Sequence, residues 1–279
     1  MLFQDHDAIG RIPSILAVNW DLPGYEDWPM MGYYNNNGDF VTCTSTSAKV
    51  QQPLEIRLNN DETGSYIVGD DDFDYDEDFS YEDGDRLKLV WQWNHNPDHN
   101  NWSVTENPGF YRITNGKTCS SVWYARNSLT QRTVGPKFTS ETCMIPTSMK
   151  SGDYAGLVAV GSAYGMIGVR NDNGRLVIFQ GSGDYDKAIT VNATASEVSD
   201  DTPVYLKIEY VFNTGNTRAD NANFFYSLDG ESWTKLGNQL HMSFSTSTTF
   251  MGARTWLSNY ATSSAGGYVD FDYYKCYEN

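Results

Sequence analysis

The chain has 279 residues, of which 14% are aromatic, with 19 Tyr, 8 Trp and 24 Gly. That mix suits strands and turns better than helices, and the length allows one large or two modest domains. The 36 acidic residues outweigh 19 basic ones to give a formal charge of −17. Such a surface repels phosphate backbones and anionic headgroups, which argues against nucleic acid and membrane but leaves a neutral polymer as a partner.

The N-terminus, "MLFQDHDAIGRIPSIL", lacks the basic stretch and apolar core of a signal peptide. A cytoplasmic chain and one secreted and then processed both remain open. Cys43, Cys119, Cys143 and Cys276 show no paired spacing, so a zinc knuckle is excluded and a disulfide is undecided. Residues 1–34 are apolar with Pro and Trp. Residues 35–70 are rich in Asn, Ser, Thr, Asp and Gly and read as a linker with one short strand at "PLEIRL".

Residues 71–279 read as strand after strand. "LKLVWQW" alternates Leu87, Leu89, Trp91 and Trp93 on one face, and "PVYLKIEYVF" does the same with Val204, Leu206, Ile208, Tyr210 and Phe212. Asn173-Gly174 and Asp229-Gly230 sit between apolar runs as hairpin turns. No stretch of a dozen residues keeps a helical period. The expected fold is all-β, an antiparallel β-sandwich.

Several ordered stretches are distinctive: "DDFDYDE", "WQWNHNPDHNNWSVTENPGFYRI", "ARNSLTQRTVGPK", "SGDYAGLVAV", "FYSLDGESWTKLG", "FMGAR" and "AGGYVDFDYY". Together they resemble the C-terminal domain of family-43 β-xylosidases over about residues 70–279. The resemblance implies a concanavalin-like sandwich (a jelly roll), classed also as a xylan-binding module and appended to a five-bladed propeller. "MLFQDHDAIGRIPSILAVNW" further resembles the closing strands of that propeller's last blade. There the positions of His6 and Arg11 serve a central metal and the sugar subsite. The family's catalytic carboxylates lie on earlier blades. Inverting hydrolysis needs an acid and a base roughly 6.5–9.5 Å apart on a rigid frame, so no family-type catalysis is expected from this chain alone.

The candidate contacts for a sugar chain are Trp93, Asn94, His95, Trp102, Arg126, Gln131, Trp256 and Tyr260. Indole faces stack on pyranose rings while amides and guanidinium groups bond hydroxyls. Each has a competing reading. Trp91 and Trp93 can follow Leu87 and Leu89 into the core, or the cluster can face a propeller. The "ARNSLTQR" row, with Arg126, Ser128, Thr130 and Arg132 on one face, can be an ordinary solvated strand. Trp256 can instead anchor the core or a loop. The acidic run "DDDFDYDEDF" puts Asp72, Asp74 and Asp76 on one face, and "YVDFDYYK" carries Asp270 and Asp272. A structural calcium at Asp74 and Asp272, tying the first strand to the last, is expected to compete with a solvated acidic strand.

The function expected is non-catalytic binding of β-1,4-xylan or xylo-oligosaccharides, with no cofactor taking part. Two alternatives stay open: a β-xylosidase or arabinofuranosidase dependent on the propeller or on a new site, and a domain that only docks a propeller or forms homo-oligomers.

Overall fold

The computed structural model describes residues 2–5, 7–14, 17–26, 28–42, 67–212, 220–245, 247–249 and 251–278. The chain forms two compact units, Asp7–Gly10 with Ser65–Asn279 making the larger one. "PLEIRL", Cys43 and His6 lie outside the described residues. In the N-terminal unit β1 (Leu2–Asp5) pairs antiparallel with β2 (Arg11–Ser14). A second sheet joins β3 (Ala17–Asn19), β4 (Met30–Tyr34) and β5 (Phe40–Thr42). The boundary expected between residues 34 and 35 therefore falls at a hairpin turn, where Asn35 Oδ1 accepts from the N–H groups of Asn37 and Asp39 at 2.9 Å each. The reading of a propeller blade here rests on sequence likeness.

The larger unit is a sandwich of two antiparallel sheets. One orders β17 (Thr234–Lys235), β16 (Asn221–Ser227), β15 (Val204–Val211), β10 (Lys137–Ser148), β20 (Tyr268–Glu278), β8 (Tyr111–Thr114) and β7 (Trp102–Ser103), with β18 (Leu240–His241) beside β16. The other orders β14 (Thr190–Val198), β13 (Arg175–Asp184), β12 (Ala163–Asp172), β11 (Asp153–Val160), β19 (Arg254–Ala261), β9 (Leu129–Arg132) and β6 (Gln92–Trp93). Period-two alternation fixes which side chains meet between them. Val204, Leu206, Ile208 and Tyr210 of β15 are buried as expected, while Lys207 and Glu209 pair on the opposite face at 3.4 Å. Leu157, Ile167, Ile178 and Leu257 meet them from the second sheet.

That second sheet is also covered on its outer face. Val158, Tyr164, Met166, Phe179, Trp256 and Tyr260 form a separate apolar layer there, which explains why "GLVAV" and "YGMIGV" read as near-continuous apolar runs. The β12–β13 turn is the expected one: Asn173 and Gly174 both have positive φ, 55° and 93°, as a two-residue hairpin requires. "LKLVWQW" departs from its alternation. Only Gln92–Trp93 is strand, and Leu89 is 82% exposed in a turn while Leu87 and Trp91 are buried.

The first and last segments are joined by Asp71, which is bridged to Tyr274 by backbone hydrogen bonds of 2.8 and 2.6 Å. Its carboxylate accepts from Trp91 Nε1 and the Tyr75 hydroxyl at 2.8 Å each, and pairs with Lys88 at 3.2 Å. Asp74 lies exposed outside any strand, and Asp272 is half-buried on β20. No group of three or more His, Cys, Asp or Glu among the described residues is placed to hold a metal ion. The thiols of Cys119, Cys143 and Cys276 are free.

At the start of β11, Asp153 is wholly buried. One oxygen accepts from Lys150 N at 2.7 Å, and the other has no hydrogen-bond partner among the described residues. Burial, only partly offset by that hydrogen bond, pushes its carboxyl up to about 6. A raised folded-state value favours the protonated form, so this stabilisation is full below about pH 4 and is lost as pH rises through about 6. Asp153→Asn keeps the bond from Lys150 and removes the buried charge. It is expected to gain about 3 kcal/mol over the wild type at pH 8 and well under about 1 kcal/mol at pH 4. Urea midpoints at both pH values check this, and an equal difference at the two would contradict it.

Candidate functional site

Most aromatics of the 89–113 stretch turn inward. Trp91 lies near-parallel to Phe73 at 6.0 Å and edge-on to Tyr274 at 5.0 Å. Trp93 packs on Trp102 at 5.1 Å, and Trp102 meets Phe79, Tyr81 and Tyr111. Trp102 is 9% exposed and so cannot offer a face to a sugar. Its Nε1 instead donates to His99 Nδ1 at 3.1 Å. Since an indole N–H only donates, the neutral His99 ring carries its hydrogen on Nε2. A face of the imidazole stacks on Tyr81 at 4.2 Å, and Arg86 covers Tyr81 in turn at 4.3 Å. The indole cluster thus fixes a histidine that the sequence reading passed over.

Asn94, His95 and Arg126 are brought together, though not as a row of free donors. Asn94 Nδ2 donates to Trp123 O at 3.3 Å and lies 3.5 Å from Ala125 O, and His95 Nε2 sits 2.6 Å from Trp123 O. Arg126 Nη1 donates to Asn96 O. Residues 94–96 therefore clamp the 123–126 segment and leave the rest of the exposed Arg126 guanidinium free. Gln131 is not on the surface. It points into the core side of β9 and exchanges both amide bonds with Gly69, at 3.0 and 2.8 Å. Trp256 and Tyr260 are also buried, because the 3₁₀ turn Val122–Tyr124 lays Trp123 over Trp256 at 5.2 Å and Tyr154 stacks on Tyr260 at 5.3 Å. Burial drives the Tyr260 phenol far above its ordinary value. Of Arg11, the structure gives only its backbone position at the start of β2.

A cleft of about 560 Å³ opens where three loops meet above the end of β19. Asp98 to Asn101, Asn115 to Lys117 and Tyr124 to Arg126 form its walls, and Asn259 and Tyr260 its floor. The first wall is built by capping. Asp98 accepts from Asn100 N at 3.3 Å and from Asn101 Nδ2 at 2.8 Å. Asn127, at φ 60°, then pins the loop through Asp98 N, Asp98 O and Asn101 O at 2.8, 3.1 and 3.0 Å. Asn tolerates that left-handed conformation better than any other residue with a Cβ. Gly116 closes the second wall, where an added Cβ would lie 2.5 Å from the Asn101 amide. The floor is tied by Asn115 Nδ2 to Asn259 Oδ1 at 3.1 Å and by Asn259 Nδ2 to Ile113 O at 2.9 Å. The groups left to bind a ligand are His99, Lys117 and Arg126, with Glu82 and Tyr124 at the rim. With Asp98 committed to its cap, no pair of free carboxylates among the described residues faces the cleft from opposite walls.

Residues 77–277 match the β-xylosidase C-terminal concanavalin A-like domain. The chain belongs to that family. It is 28% identical over 242 residues to a putative β-xylosidase of Xylanibacter ruminicola, covering 86% of this chain and 38% of the relative. A β-xylosidase of Formosa agariphila is 27% identical over 287 residues, covering 95% and 42%. Among solved structures, a bifunctional GH43-CE protein of Bacteroides eggerthii superposes with TM-score 0.78 at 37% identity, covering 99% of this chain and 32% of that one. A family-43 glycoside hydrolase engineered for both endo-xylanase and exo-arabinofuranosidase activity gives 0.77 at 25%, covering 99% and 51%. The chain thus spans about two fifths of the curated relatives' length.

Proposed function

We propose that this chain is a non-catalytic carbohydrate-binding domain that holds β-1,4-xylan or xylo-oligosaccharides in the cleft above β19. The observation that carries the reading is the set of fixed donors there. His99 is locked between Tyr81 and Trp102, and Arg126 is held by Asn96 with most of its guanidinium unspent. Donors ordered in advance bind hydroxyls without a further entropic cost, and the cleft's volume suits a small ligand. The family's named relatives are β-xylosidases, which favours a xylose-based chain. Calorimetric titration with xylohexaose is expected to give saturable heat in the millimolar to micromolar range, absent with cellohexaose. His99→Ala and Arg126→Ala are each expected to weaken it about tenfold. No heat with xylohexaose would remove the reading.

A second reading has its own observation. In the N-terminal unit Trp20, Tyr25, Trp28 and Tyr34 are all exposed, Trp28 at 71%. Side chains of that size left in water favour docking against a further domain, such as the propeller of the family's enzymes. In that case a co-expressed propeller domain would co-purify with this chain, and Trp28→Ser would release it.

A further inference from the structure

We propose that Arg132 and Arg254 form a carboxylate site, so that the saccharide taken by this domain carries a uronic acid; this rests on the carbohydrate reading above. The two residues are direct partners across β9 and β19, which brings their Cα atoms within about 5.5 Å and their side chains onto one face. Like charges directly opposite each other destabilise a sheet. A chain with 36 acidic residues has ample means to neutralise such a pair. It does not do so here: among the described residues no carboxylate pairs with either guanidinium, and the charge felt by Arg254 is that of Arg132.

Arg254 is half-buried, and burial first, then its neighbour, pulls its guanidinium down to about 10. Its Nη2 donates to the side-chain oxygen of Gln92, while its buried Nε has no hydrogen-bond partner among the described residues. Arg132 is exposed, so the pair is open to solvent on one side. Two guanidinium groups side by side on neighbouring strands, with no carboxylate to neutralise them, suit a carboxylate ligand, which can accept two parallel hydrogen bonds from such a planar group. The position ties the pair to saccharide recognition. Arg254 begins β19 and Tyr260, six residues on, floors the cleft, about 20 Å away along the same strand and face. One oligosaccharide of several residues covers that span. A carboxylate carried on a largely neutral chain also escapes most of the repulsion that the acidic surface exerts on a polyanion, since charges beyond about 8 Å are screened at physiological salt.

The test is a titration of the full chain with three ligands: neutral xylohexaose, the same hexaose bearing one glucuronic acid branch, and that branched compound with its carboxyl reduced to an alcohol. The acid is expected to bind about tenfold tighter than its reduced form at low ionic strength, with the gap closing in about 0.5 M salt. Arg132→Gln, at an exposed position, is expected to abolish the gap and leave the neutral hexaose unchanged. Arg254→Lys, which keeps the charge but loses the fork, is expected to narrow it. Equal binding of acid and reduced forms overturns the arginine site alone and leaves the xylan reading standing. A gap that persists in folded Arg132→Gln also overturns it. Failure of all three ligands to bind overturns both.

Discussion

Trp102→Ala is expected to lower the unfolding free energy by about 3–5 kcal/mol, the range for deleting a large buried aromatic. Five rings, those of Phe79, Tyr81, Trp93, His99 and Tyr111, contact the indole with centroids 5.1 to 6.2 Å away. Two of them cannot follow a shrinking partner, since Tyr111 is fixed by its hydroxyl donating to Asn127 O at 2.6 Å and Trp93 by its place on β6. The loss should show as a melting temperature lower by about 10 °C and a lower urea midpoint. Trp102→Phe separates packing from hydrogen bonding. It retains most of the apolar contact, costs the fold less, and frees His99 Nδ1 from its donor. If His99 binds the ligand, xylohexaose affinity should fall in Trp102→Phe even though the indole never touches sugar. A change in Trp102→Ala stability of under about 1 kcal/mol would show that the cluster is not the packed unit described.

The history of Trp102 shows what the sequence could and could not convey. Three indoles among Asn, His and Asp looked like a platform, because polar neighbours usually mark a surface. Here the polar residues serve the loops that lead the indoles inward: Asp98 caps, Asn101 bonds Asp98, and Asn94 and His95 clamp residues 123–125. Short-range period cannot reveal that, since β6 and β7 are two residues each. Where strands are long, alternation sufficed, as in β15. Trp256 and Tyr260 share a face of β19 that Trp123 and Tyr154 cover, and that cover depends on where the 122–124 turn and the neighbouring strand come to lie. His99 and Asn127 gave weaker signals still. A lone His in an Asn-rich loop has no period, and Asn127 betrays itself only through a left-handed backbone that the sequence merely permits. Family likeness identified the domain, while the cleft had to be read from geometry.

The final strand carries the other large effect. Asp270→Asn is expected to cost about 3–5 kcal/mol, the penalty for leaving a buried charge without its partner. Asp270 and Arg112 face each other across β20 and β8, with side chains only 2% and 16% exposed. The pair is bidentate, Nε to Oδ1 at 2.7 Å and Nη2 to Oδ2 at 2.8 Å, and Thr147 Oγ1 and Asn107 Nδ2 complete the carboxylate at 3.0 and 3.2 Å. Hydrogen bonding to Asp270 holds the Arg112 guanidinium above its ordinary value, and even without that support a guanidinium keeps its charge near neutral pH. An amide at 270 cannot return that charge, and the guanidinium, packed 4.2 Å over the Tyr268 ring, would keep only the longer, solvent-facing contact of its Nη1 with Glu106 at 3.4 Å. The double variant Arg112→Met with Asp270→Leu removes both charges and fills the space, and it should recover most of the loss, as apolar replacements of buried ion pairs often do. Urea unfolding of the two single variants and the double closes the thermodynamic cycle. Additive losses would mean that the two groups do not act as one, and that the more buried of the two acids in "YVDFDYY" owes its place to something other than Arg112.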